Sequence, residues 1–157
     1  MRVIVVSDTH RSISNFLEKV KTMDKPDLIL HLGDYTNDGD RIEEDLGINV
    51  IKVKGNGDFA SIYNEDEILE IRGKRVFLTH GHNYGVYYSN DRLYYKGLEV
   101  EADIVLYGHT HIPEIIQEEN MIIMNPGSPT RPRGRDMKPT FGLLEITDKI
   151  VASIVEI

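Results

Sequence analysis

Five short apolar runs, Val3–Val6, Leu28–Leu32, Val50–Val53, Val76–Leu78 and Ile104–Leu106, set the strongest limit on how this chain can fold. Each is three to five residues long, rich in Val, Ile and Leu, and bounded by turn formers or charges, the pattern of a buried strand. Between the first three lie segments of helical period. In Ile13–Met23 the residues Ile13, Phe16, Leu17 and Val20 share one helix face, with Ser12 as the expected N-cap and Pro26 marking the end. A shorter, more acidic helix is expected near Asp38–Leu46, stopped by Gly47. Strand and helix alternating in this way require parallel pairing through right-handed crossovers.

The second half has a different rhythm. Glu67–Ile71 and Lys74–Thr79 flank Arg72-Gly73, a hairpin signal, and two further hairpins are expected at Glu114–Gln117/Met121–Met124 and Phe141–Ile146/Ile150–Val155. One helix near Ser89–Glu101 separates the first hairpin from the Ile104–Leu106 strand. The expected architecture is α/β: two mixed β-sheets packed face to face with helices on the outer faces, a four-layer α-β-β-α sandwich. A length of 157 residues fits a single domain over residues 1–157. Asn125–Thr140, rich in Pro and Gly, is the one long loop, and long loops carry function more often than accident.

The residues just after each apolar run are more informative than the runs themselves. The runs end in Ser7-Asp8-Thr9-His10, in Gly33-Asp34, in Gly55-Asn56-Gly57-Asp58, in His80-Gly81-His82 and in Gly108-His109-Thr110-His111. Five strands therefore deliver carboxylate, imidazole or amide groups at their C-terminal ends, the edge where open parallel sheets bind ligands. The chain has no Cys, which excludes disulfides, thiolate zinc sites, iron–sulfur clusters and a thiol nucleophile. A set of Asp, His and Asn suits a hard or borderline divalent cation instead. Asp8, His10, Asp34, Asn56, His80, His109 and His111 are too many for one ion but suit two ions sharing a bridging carboxylate. Such pairs are used for in-line displacement at phosphorus.

Charge narrows the partners. Eighteen Lys+Arg against 26 Asp+Glu leave a net charge of −8, which argues against extended nucleic-acid binding and against an anionic membrane surface. No apolar run approaches a membrane span, and residues 1–7 pass from a charge straight into a strand, unlike a signal peptide. The expected location is the cytoplasm.

The five polar clusters, in this order, resemble the signature of the calcineurin-like metallophosphoesterases. The short length and Asn125-Pro126-Gly127-Ser128 after a late strand resemble the small YfcE-type phosphodiesterase branch, to which eukaryotic Vps29 is related. The resemblance implies that Asp8, His10, Asp34 and His111 hold one ion. Asp34 would bridge to a second, completed by Asn56, His80 and His109. It also implies two divalent cations, manganese first among nickel, iron, cobalt and zinc, and attack on a small phosphodiester by the hydroxide between them. A non-catalytic, Vps29-like scaffold for protein partners is the alternative. That relative has lost the histidine matching His10, which this chain keeps.

One departure narrows the chemistry. Many larger family members place a His after the metal-binding Asn, where it protonates the leaving oxygen, but this chain has Gly57. His82 is a candidate donor in its place, with phosphate contact and an exposed loop residue as its other readings. Arg11 stands where relatives commonly have Gly, as a phosphate contact or a solvated residue. Asp58 reads as an outer partner or turn residue and His31 as a satisfied buried histidine. Tyr84, Tyr87, Tyr88, Tyr94 and Tyr95 read first as helix packing or a homodimer patch, and second as a stacking wall. Arg131, Arg133 and Arg135 would clamp a phosphate if their loop folded back, with a solvated loop as the equal alternative and Asn125–Ser128 expected to approach the site through its backbone, and Glu43-Glu44-Asp45 reads as a solvated helix face.

Overall fold

A computed structural model describes residues 1–157. The strands are β1 (Arg2–Val6), β2 (Leu28–His31), β3 (Val50–Lys52), β4 (Asp66–Ile71), β5 (Lys74–Thr79), β6 (Ile104–Leu106), β7 (Pro113–Glu118), β8 (Met121–Pro126), β9 (Thr140–Ile146) and β10 (Ile150–Glu156). The helices are α1 (Ser14–Lys21), α2 (Thr36–Leu46) and α3 (Asp91–Glu99), with a single 3-10 turn at His82–Tyr84. They form two five-stranded sheets, ordered β10-β9-β1-β2-β3 and β4-β5-β6-β8-β7. In the first, β1–β2 and β2–β3 are parallel and β9 joins β1 antiparallel; in the second, β5–β6–β8 are parallel between two hairpins.

The layers follow from the period of two along each strand. Val3 and Val5 of β1 point between the sheets, where they join Leu28, Leu78, Leu106 and Met124 in the central core. Ile4 and Val6 point the other way, under Phe16, Leu17 and Val20 of α1 and Ile42 of α2. On the far side, Phe77, Val105 and Ile123 pack against Leu93 of α3. The result is the expected α-β-β-α sandwich, with both faces of each sheet covered. All three hairpins are present, and the first turns at Arg72-Gly73 with φ of 54° and 74°, the left-handed pair that a tight two-residue hairpin needs.

Three local expectations need correction. Ser12 does not cap α1: the flanking residue is Ile13, with no side-chain cap, while the Ser12 amide donates to the Thr9 carbonyl. Helix α2 starts at Thr36 instead of near Asp38, because its first amides find an acceptor from outside the helix. Asp58 Oδ1 accepts from the amides of Tyr35 and Thr36, both at 2.8 Å, and its Oδ2 accepts from Gly55 at 2.9 Å. The acidic run of α2 is also not uniformly solvated, since Glu43 and Asp40 pair with the buried ammonium of Lys52 at 3.3 and 3.0 Å.

Asp58 thus ties the start of α2 to the turn after β3, two segments that both bear site residues. A charged side chain that accepts from backbone amides contributes about 1.5–3 kcal/mol. Asp58→Ala is expected to lower unfolding stability by about 2 kcal/mol in urea titration, and Asp58→Asn, which keeps an oxygen acceptor, by less. Equal stability of wild type and Asp58→Ala would refute this role.

Candidate metal centre

The parallel strands end at one edge, and the polar clusters converge there. Asp8, at the end of β1, is 0% exposed. Its Oδ2 accepts from Ser7 Oγ at 2.6 Å and from the His109 amide at 3.0 Å. Its Oδ1 has no hydrogen-bond donor; it faces His111 Nε2 at 3.1 Å and His80 Nε2 at 4.0 Å. Both imidazoles are oriented from behind. His80 Nδ1 donates to the Leu32 carbonyl at 2.8 Å and His111 Nδ1 to the Arg131 carbonyl at 2.7 Å, which leaves each Nε2 directed into the site.

Asp34 and His10 complete two compact groups. Asp34 Oδ1 accepts from the Gly57 amide at 2.8 Å and stands 3.5 Å from His80 Nε2. His10 Nε2 is 3.4 Å from His111 Nε2. Ligand atoms of Asp8, His10 and His111 lie within 4.8 Å of one another, as do those of Asp8, Asp34 and His80. Asp8 is the carboxylate common to both groups, beside the Asp34 to which the family resemblance gives the bridging part. The His109 ring packs edge-on against His80 at 5.1 Å between centroids, while Asn56 sits exposed on the turn that wraps Asp34.

The backbone is strained where these residues sit. Of 11 non-glycine residues with positive φ, seven belong to this edge: Asp8, His10, Arg11, Asp34, Tyr35, His109 and His111. Left-handed backbone costs about 1–2 kcal/mol per L-residue, and such strain persists only where the surroundings over-determine it. Asn125 supplies part of that hold, its amide donating to the Gly108 carbonyl at 2.8 Å and to Thr110 Oγ1 at 3.0 Å. Ser128 Oγ and Thr130 Oγ1 donate to the Asp8 carbonyl at 2.9 and 3.3 Å. In Asn125–Ser128 it is thus the side chains, more than the backbone, that carry the contacts to the site. Ser7 is a functional neighbour that sequence reasoning misses, its position before Asp8 being the only available sign.

This arrangement suits cations. Asp8 Oδ1 and His80 Nε2 are buried acceptors that face each other without a proton donor between them, and unpaired buried acceptors are costly. Oxygen and imidazole donors without thiolate match borderline divalent ions. Burial acts to raise the Asp8 carboxyl, but the imidazoles of His111 and His80 beside Oδ1 prevail and hold it at about 2. Burial opposes protonation of His111, yet the adjacent Asp8 carboxylate raises its pKa. Burial lowers His10, His109 and His82.

His82 lies at the mouth, its ring 5.4 Å from that of His80 and 6.2 Å from that of His109, with Nδ1 lacking a partner. The loop after β8 does fold back, but not as a set of free guanidiniums. The Arg133 amide donates to the His111 carbonyl at 3.0 Å, its Nη1 donates to Tyr87 Oη at 2.7 Å, and that hydroxyl donates to the His109 carbonyl at 3.0 Å. Tyr84 and Tyr94 pack on the α3 side of the sheet, as expected for packing residues, whereas Tyr87 stands at the site rim. His31 is buried and satisfied: it accepts the Gly33 amide on Nδ1 and bonds Thr9 Oγ1 through Nε2, and Thr9 in turn donates to Asp38.

Residues 1–149 match the calcineurin-like phosphoesterase superfamily domain. A probable metallophosphoesterase of Methanothermobacter thermautotrophicus is 38% identical over 163 residues, covering 99% of this chain and 92% of that protein. A phosphodiesterase of Methanocaldococcus jannaschii is 28% identical over 144 residues, covering 81% of this chain and 83% of its own. Among solved structures, Vps29 of Entamoeba histolytica in complex with Zn²⁺ superposes with a TM-score of 0.78 at 28% identity, covering 99% of each chain.

Burial holds His31 neutral, with its pKa lowered from 6.5 to about 4. Between those values the unfolded chain binds the extra proton, so stability is full above pH 6.5 and falls as pH drops toward 4, by about 3 kcal/mol in all. The Asp8 contribution has the same sign but lies lower, between 3.8 and about 2. Urea unfolding in chelating buffer should show this slope, and His31→Gln should flatten it. A stability unchanged from about pH 7 to about pH 4.5 would contradict the assignment.

Proposed function

The chain belongs to the calcineurin-like phosphoesterase superfamily, in the branch that holds YfcE-type phosphodiesterases and Vps29, and from that premise we propose that it hydrolyses a small phosphodiester. The observation that carries this reading is the pair of buried acceptors, Asp8 Oδ1 and His80 Nε2, left without donors at the strand edge. In the proposal Asp8, His10, Asp34 and His111 hold one divalent cation, and Asp34, Asn56, His80 and His109 hold a second. Bound there, the cations would supply positive charge to a phosphoryl oxygen and lower the pKa of water toward neutrality. Manganese heads the candidates, ahead of nickel, iron, cobalt and zinc. No helix is long and apolar enough to span a bilayer.

The chain's own groups then determine selectivity. Gly57 offers no proton to the leaving oxygen, and a Cβ built there would lie 3.0 Å from Asp34 Oδ1. His82 is the remaining imidazole at the mouth, and burial together with the neighbouring His80 lowers its pKa. A mostly neutral His82 donates poorly at about pH 7, so aryl diesters, whose leaving groups need little protonation, should outrun alkyl diesters. Phosphomonoesters should react poorly, because no His stands at Gly57 to protonate the leaving oxygen.

A second reading is a metal-binding scaffold of the Vps29 kind. Tyr88, 95% exposed, and the exposed Tyr95 favour it, as apolar surface left free for a protein partner or a second copy.

The deciding measurement is turnover of bis(p-nitrophenyl) phosphate with Mn²⁺ and with the other candidate metals. Chelation should abolish it, and Asp34→Asn should lower it by about 10²-fold or more, since even outer partners of metal ligands cost about 10–100-fold. Gly57→His should raise phosphomonoester relative to diester turnover. No turnover with any of the metals would favour the scaffold.

A further inference from the structure

A cleft of about 570 Å³ opens beside the candidate metal centre, walled by Arg11, Tyr35, Asn37, Arg41, Gly57 and Phe59. That size is ordinary for a small-molecule site. Tyr35 forms the boundary between the two: its ring meets His10 edge-on at 5.0 Å, and the Arg11 guanidinium lies over it at 5.2 Å. The Arg11 guanidinium therefore lies on the cleft side of Tyr35, with that ring between it and the imidazole of His10.

The cleft's charges are asymmetric. Its two carboxylates are directed inward and satisfied: Asp38 by Thr9 Oγ1, the Arg11 amide and Arg41, and Asp58 by the amides of Tyr35, Thr36 and Gly55. The Arg11 guanidinium is exposed and has neither a hydrogen-bond acceptor nor an ion-pair partner. Phe59, also lining the cleft, is 97% exposed on the loop after Gly57, an aromatic ring with no packing in the fold. A free guanidinium recognises phosphate oxygens, and a free ring stacks on a base. Apolar lining is too sparse for a lipid tail.

We propose that this cleft receives one arm of the phosphodiester and that the arm is a nucleotide, its base on Phe59 and a phosphate other than the scissile one on Arg11. The inference rests on the phosphodiesterase reading and names the substrate class for it. It assigns Arg11 a part that a glycine at that position could not have.

Three diesters with the same p-nitrophenolate leaving group isolate the arm: bis(p-nitrophenyl) phosphate, thymidine 3′-(p-nitrophenyl phosphate), and the same nucleoside ester carrying a 5′-phosphate. In the Mn²⁺-loaded enzyme kcat/KM should rise about tenfold at each step, mostly through KM, as stacking and charge-assisted contacts of this kind allow. Arg11→Gln should remove the second step and Phe59→Ala the first. Equal kcat/KM for the three substrates, or an equal loss on all three in both variants, would overturn the proposal while leaving the phosphodiesterase reading intact. If wild type hydrolyses none of them, that reading falls instead. Calorimetry with thymidine 3′,5′-bisphosphate then still decides on the cleft: about tenfold weaker binding by Arg11→Gln supports it, and unchanged binding refutes it.

Discussion

A carboxylate with no access to water governs this structure. Asp8 is fully buried, and its charge is maintained by donors on one oxygen only, Ser7 Oγ and the His109 amide on Oδ2. The other oxygen confronts Nε2 of His111 and of His80. Neighbouring acceptors repel unless a positive charge lies between them, so this edge is stable only with a proton or a cation. His111 shows the protonic solution, its basicity raised by Asp8. A divalent cation offers the same relief to more acceptors at once.

The supporting structure is devoted to holding those acceptors together. Main-chain carbonyls of Leu32 and Arg131 fix the tautomers of His80 and His111 from two different loops. Left-handed backbone at Asp8, Asp34, His109 and His111 turns their side chains back over the strand ends. Contacts from Asn125, Ser128 and Thr130 clamp the turns so that the strain is not released. The sandwich supplies the rest, because a helix covers each outer face and leaves the strand C-termini as the open edge. An enzyme that must not reorganise during reaction benefits from such a preset frame.

Much of this was legible in the sequence because the fold is locally consistent. Apolar runs of period two, a helix face at Ile13–Val20 and turn residues such as Arg72-Gly73 all point to the elements that form. The set Asp8, His10, Asp34, His80, His109 and His111 could be read because each stands directly after a strand, where topology alone brings it to one edge. The contacts that sequence reasoning missed share a different cause. Asp58 caps α2 across 22 residues, Glu43 pairs with Lys52 from a neighbouring strand, and Arg133 is engaged by Tyr87 across 46 residues. None of these partners lies within one element, so no local spacing could signal them. Ser12 failed as a cap for the complementary reason, since a serine before a helical run fits the rule even when the chain enters the helix by another route.

The net charge of −8 and the anionic substrate proposed for this site are compatible because charge is compartmented. The two carboxylates lining the cleft, Asp38 and Asp58, have their oxygens engaged by amides, a hydroxyl and one guanidinium. The guanidiniums of Arg11 and Arg41 offset their formal charge. A small anion seated in the cleft therefore faces no net negative charge from its walls, while a polymer spanning the rest of the acidic surface meets repulsion, and screening at physiological salt keeps the two regimes separate beyond about 8 Å. For the proposed small diester, the preference over nucleic-acid chains would then arise from where the negative charges are tied down.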